Sequence, residues 1–105
     1  MEVVLNEPGF WYLLKKDGSY FIDVNCEASF VGFTLMLLLN DDEYTEYHAL
    51  GRTFPNYFAE KINYGSSHYK ERNVTGPLQK EAMEAILRLP HDPLRPPDGV
   101  IYLPE

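Results

Sequence analysis

Ten consecutive residues, 30–39 (FVGFTLMLLL), are almost wholly apolar, and they pass without a break into the polar quartet Asn40, Asp41, Asp42 and Glu43. A bilayer crossing needs about 20 apolar residues, so a run this short is expected to be buried inside the protein. With the two-residue period of a strand, one face carries Val31, Phe33, Leu35, Leu37 and Leu39, and the other Phe30, Gly32, Thr34, Met36 and Leu38. Both faces are apolar, which predicts a central strand. A buried helix is the competing reading, because periodicity alone does not separate the two for a short apolar run.

The polar quartet reads as a helix start. Asn40 can accept from the free backbone N–H groups, Glu43 can reach back to complete a capping box, and Asp41 and Asp42 meet the positive end of the helix dipole. Beyond it, Tyr44, Tyr47, Gly51, Phe54, Phe58 and Ile62 recur at steps of 3, 4, 3, 4 and 4, a helical stripe. Pro55 interrupts that stripe, since its ring meets the carbonyl of Gly51 at a cost of roughly 3 kcal/mol. Gly51 has no side chain to crowd a bend, which favours one helix over 41–64 kinked at Pro55 rather than two helices with Thr53 as a second cap. Gly65, Ser66 and Ser67 end it.

Upstream, Asp17-Gly18 separates two strand-like runs, 10–16 and 19–26. Asp-Gly in such a place predicts a two-residue type I′ hairpin turn, which pairs Lys16 with Ser19, Leu14 with Phe21, Leu13 with Ile22, Tyr12 with Asp23 and Trp11 with Val24. Trp11, Leu13, Tyr20, Ile22 and Val24 then form a core face. The opposite face carries Tyr12, Leu14, Phe21, Asp23 and Asn25; half polar and half apolar, it invites cover by another element or by a partner.

Downstream, residues 67–74 fit either an edge strand or a loop. A second helix is predicted over 77–89, with Thr75 or Gly76 at the cap, Pro77 in the first turn and Leu78, Ala82, Ala85, Ile86 and Leu89 on one stripe. Five of the eight prolines then fall within 90–105, a composition suited to an extended tail packed on or along the domain. Within it, residues 100–103 (VIYL) are apolar enough to dock as an added strand.

A chain of 105 residues builds one core, here a single domain over 1–89 followed by the tail. The first eight residues lack the basic region and apolar core of a signal peptide, and with no candidate membrane span the expected location is cytoplasmic. The net charge of −7 is unevenly spread: ten acids face three bases over residues 1–60, and six face six over 61–105. Phosphate-rich partners need the opposite sign, so nucleic acid and membrane are not expected partners.

A catalytic reading would begin at Cys26, the single cysteine, with Asp23 and Asn25 beside it in sequence and His48, His68 or His91 as a base. No spacing ties a histidine to it, and a lone cysteine after a strand is ordinarily a small buried hydrophobe. The acids at 41–43 lack the alternating oxygens and turn glycine of a calcium loop. No metal or cofactor is therefore expected.

What remains is a surface. Asp42, Glu43, Tyr44, Glu46 and Tyr47 interleave acids with tyrosines, a composition that suits a basic protein partner. The run 20–26 (YFIDVNC), the apolar strand and the acidic helix start resemble a small bacterial domain of unknown function. In size, acidity and aromatic content the chain is similar to immunity proteins that neutralise bacterial toxins, although no immunity motif is matched residue by residue. That likeness implies binding a basic toxin domain without catalysis. The expected fold is α+β, an antiparallel sheet of three or more strands with two helices on one face. The expected function is a non-enzymatic interaction module, against a thiol-dependent or ligand-binding enzyme or a structural homo-oligomer such as a homodimer.

Overall fold

In the computed structural model, which describes residues 1–28 and 31–89, Asp17 and Gly18 both take positive φ, 51° and 83°. This is the geometry a type I′ turn requires of both central residues. The turn joins β2 (Trp11–Lys16) to β3 (Ser19–Ala28), and all five predicted pairs form, from Lys16 with Ser19 to Trp11 with Val24. β4 (Val31–Leu38) pairs antiparallel with β3, confirming the apolar run as strand. A further strand that the sequence reading did not anticipate, β1 (Glu2–Glu7), pairs antiparallel with β2 and carries a register shift between Val3 and Leu5. The four strands lie in the order β1-β2-β3-β4, and with the helices they make the expected α+β fold.

The predicted kinked helix is instead two helices, α1 (Asp41–Leu50) and α2 (Thr53–Tyr64). Gly51 leaves the helical region altogether, with φ 60° and ψ −136°. Pro55 explains the break. At the third position of a new helix its missing N–H has no partner to lose, whereas inside a continuous helix it would remove a bond and clash. The chain thus avoids the cost of a kink by starting again at Thr53.

Residues 67–74, left open between strand and loop, form most of a short helix, α3 (Ser66–Tyr69), and a 3₁₀ turn (Lys70–Arg72). The following residues cover the outer edge of β4. Met36 N–H donates to Asn73 Oδ1 at 2.9 Å, and Val74 N–H donates to the Met36 carbonyl at 2.7 Å. Arg72 Nη2 donates to the Leu38 carbonyl at 2.9 Å. A bare strand edge invites pairing with another chain, and this segment blunts half of it. The last described helix, α4 (Pro77–Leu87), begins with its proline in the first turn as predicted.

The expectation that both helices share one face of the sheet is wrong. Trp11, Leu13, Ile22, Val24, Cys26, Leu35 and Leu37 pack against Phe54, Phe58, Ala59 and Ile62 of α2. On the opposite face, Leu14, Phe21 and Met36 pack against Ala82 and Ala85 of α4. The cause is strand alternation, which sets Leu14, Phe21 and Met36 side by side on the face turned away from α2, an apolar patch too large to be left in water. The Lys16 ammonium, hydrogen-bonded to the Glu81 carboxylate, ties α4 to the hairpin end of β2. The tail 90–105, including residues 100–103 and His91, lies outside the described residues. Among the described residues, no helix is long and apolar enough to cross a membrane.

The small residues of α4 test this arrangement. Ala82 is fully buried between helix and sheet, so Ala82→Leu should overpack the interface and cost about 1–3 kcal/mol, measured as a lowered urea midpoint. An α4 packed elsewhere or free in solvent would accept leucine, a good helix former, with no loss.

Candidate functional site

The structure sorts the five residues predicted as a binding face into two groups. The capping box is complete: Glu43 N–H donates to Asn40 Oδ1 and Asn40 N–H to Glu43 Oε1, both at 2.9 Å. The same Glu43 carboxylate accepts two hydrogen bonds from the Arg72 guanidinium, at 2.9 and 2.7 Å. Burial pushes the Glu43 carboxyl up, but the hydrogen bonds from Arg72 and from the Asn40 backbone outweigh it and hold the group below its ordinary value. Glu43 is therefore a fastener between α1 and the 3₁₀ turn, and little of it is free for a partner.

Tyr47 is likewise largely structural. Its ring meets the Tyr20 ring edge-on at 5.1 Å and lies 6.4 Å from Phe54, and it is half-buried against the α2-side core. Glu46 is exposed and accepts a hydrogen bond from the Tyr57 hydroxyl, which raises the phenol to about 12. Tyr44 is 41% exposed, with its ring 4.2 Å from the His48 ring and 5.7 Å from that of Tyr20. His48 Nδ1–H in turn donates to the Tyr44 carbonyl at 2.9 Å. Asp41 and Asp42 are exposed, and among the described residues no ion pair engages them.

Taken together, α1 buries none of its residues. Its outward side presents Asp41, Asp42, Thr45 and Ala49, flanked by Tyr44 and His48, with Leu50 exposed at its end. Arg52, in the break, fixes that end: its guanidinium donates to the Asn6 carbonyl at 2.8 Å and lies 5.2 Å from the Trp11 ring. A helix with no fully buried residue has little to hold it in place, and α1 is held by connections at both ends and by Tyr47 against Tyr20.

The alternative catalytic group does not assemble. Strand alternation puts Cys26 with Val24 and Ile22 on the α2 side, while Asp23 faces the α4 side. The Cys26 thiol is buried and points to the Val24 carbonyl at 3.8 Å. Burial first, and the Asp23 charge second, push its pKa up, away from the thiolate a nucleophile needs. The depression that it lines, of about 360 Å³, also meets Gly9, Asn25, Phe33 and Thr34 and, among the described residues, no histidine. His48 belongs to the tyrosine cluster of α1, and His68 sits on α3. No group of three or more potential metal ligands converges among the described residues.

Asp23 has a different setting, one its sequence neighbours did not reveal. It lies in β3 between Tyr12 of β2 and Met36 of β4, on the face that α4 only partly covers. Among the described residues no hydrogen bond or ion pair reaches its carboxylate, and burial alone lifts its pKa to about 6. A groove of about 230 Å³ opens above it, with Asn25 and Thr34 on the sheet side and Met83, Ile86 and Leu87 of α4 opposite. Only the register, which places Asp23 under the end of α4, could have identified it.

No protein-family profile, curated protein or solved structure shows a significant match to the chain. The likeness to immunity proteins thus rests on the sequence alone.

The Asp23 carboxylate makes a pH prediction. Its folded pKa of about 6 stands above the unfolded value of about 3.9, so the unfolded state ionises first. Stability is full below about pH 4, falls as pH rises through 6, and is then level. Asp23→Asn should therefore raise stability by about 1–3 kcal/mol at pH 8 and by little at pH 4, read from urea titrations at both. Equal effects at the two pH values would show that the carboxylate is not destabilised by burial.

Proposed function

We propose that this protein is a non-enzymatic interaction module that binds a basic protein surface through α1. The observation that carries this reading is a ten-residue helix that fully buries none of its residues yet is fastened at both ends. The Glu43–Arg72 pair and capping box hold its start, and Arg52 holds its finish, against the core of β1 and β2. Such an element contributes little to the core, and its fasteners pre-order a surface, which lowers the entropy lost on binding. The outward residues Asp41 and Asp42 carry negative charge that no ion pair engages among the described residues, and Tyr44 supplies a ring whose face and hydroxyl suit a half-wet contact. The likeness to immunity proteins supplies the class of partner, a toxin domain with a basic surface.

The structure also alters which residues should be changed. Glu43 and Glu46 each hold another side chain, so replacing either would mix folding with binding. Asp42→Lys reverses an unengaged charge and should cost no more than about 1 kcal/mol through the helix dipole. Glu84→Lys makes the same change of net charge on α4, where Glu84 is also exposed. With wild-type protein immobilised and lysate passed over it in a salt series, Asp42→Lys should lose the salt-sensitive captured proteins and Glu84→Lys should keep them. Equal loss in both variants would reduce the effect to overall charge, and no loss in either would remove α1 from binding.

A further inference from the structure

The groove over Asp23 lies on the opposite face of the sheet from α1 and is independent of the reading above. Its make-up is uneven in a specific way. The sheet side offers the Asp23 carboxylate together with the polar side chains of Tyr12 and Thr34, while the α4 side is wholly apolar. Met83 and Leu87 on that side are 56% and 77% exposed, although the same helix buries Ala82 and Ala85 against the sheet. A carboxylate without a partner among the described residues, set in the middle of a sheet, is costly, and among those residues every cation that pairs with a carboxylate (the Met1 ammonium, Lys16, Arg52 and Arg72) is engaged elsewhere. The opening is smaller than the roughly 300–1,000 Å³ of sites for drug-sized ligands. Its lining sets one carboxylate beside an apolar wall, the complement of a small ligand with a charged end and an aliphatic stem.

We infer that this groove binds a primary alkylamine as its ammonium ion, with the N–H donors on the Asp23 carboxylate and the aliphatic stem along Met83, Ile86 and Leu87. Each half of the ligand meets the surface that suits it: the ammonium supplies the missing counter-charge, and the stem covers side chains that α4 leaves in water. A carboxylate accepting from an ammonium gives the stronger, charge-assisted class of hydrogen bond. Water is displaced from the apolar wall without stranding a polar group there.

The test is a chemical-shift titration of the full chain at pH 7.5 with n-butylammonium, n-hexylammonium and, as the uncharged control, n-hexanol. Both amines should shift the amides around Asp23 and along 83–87, hexylammonium binding more tightly and hexanol at least about tenfold more weakly. Asp23→Asn, which keeps the shape and removes the charge, should weaken hexylammonium about tenfold or more. Leu87→Ser, a change at the surface, should reduce the advantage of hexylammonium over butylammonium. Binding unaffected by Asp23→Asn, or hexanol binding as well as the amine, would overturn the proposal. Tighter binding of Nα-acetyl-lysine N-methylamide than of hexylammonium would also overturn it, because the groove would then read a lysine presented by a polypeptide.

Discussion

The sheet is apolar along the whole of one face and carries an apolar patch, Leu14, Phe21 and Met36, on the other, and the rest of the architecture answers that condition. A sheet with one wet face needs a single layer of cover, whereas this one needs two. On one face lie the larger side chains, Trp11, Ile22, Leu35 and Leu37, and α2 meets them with Phe54, Phe58 and Ile62. On the other, Leu14, Phe21 and Met36 are met by two alanines, so α4 approaches closely over a short length. Beyond that length the sheet turns polar at Asp23, Asn25 and Thr34, and the end of α4 overhangs it without filling the space.

Because α2 and α4 complete the cover, α1 has no place in the core. The position of the break at Gly51 follows from Pro55, which is accommodated only if a new helix starts just before it. What remains of the upstream segment is a helix attached through its ends and through the Tyr20–Tyr47 contact. Elements with few buried contacts open at low free-energy cost. The bidentate Glu43–Arg72 pair is the strongest kind of fastener available to such a helix. That one pair also anchors the 3₁₀ turn, whose neighbours Asn73 and Val74 cover the β4 edge. The proposed binding surface and the protection of the sheet edge therefore depend on the same guanidinium.

Much of this was legible in local chemistry. The Asp17-Gly18 turn fixed the register of β2 and β3 residue by residue, and the Asn40–Glu43 box marked the start of α1, because both motifs are satisfied within a few residues of themselves. β1 went unread although Val3, Val4 and Leu5 before Pro8-Gly9 carry strand chemistry; an edge strand with a register shift gives no clean alternation. Gly51 permits a bend by its sequence, but with Pro55 four residues on it permits an ending instead. The side of the sheet that α4 covers is a long-range choice, and the apolar pair Leu14 and Phe21 on the half-wet face was its only trace. For the site, acids and tyrosines identified the right helix but not the residues already engaged: Glu43 and Glu46 have partners 29 and 11 positions away. Asp23 was noticed as a neighbour of Cys26, and the alternation of the strand separates them.

The claim on which the rest depends is that α2 and α4 cover opposite faces, and methyl–methyl nuclear Overhauser contacts in solution test it directly. The Ala82 and Ala85 methyls should show contacts to Leu14 and Met36, while the methyls of Ala59 and Ile62 contact the set formed by Leu13, Ile22, Val24, Leu35 and Leu37. Contacts from Ala82 or Ala85 to Ile22 or Leu35 would place both helices on one face. They would contradict both the two-sided cover and the exclusion of α1 that follows from it.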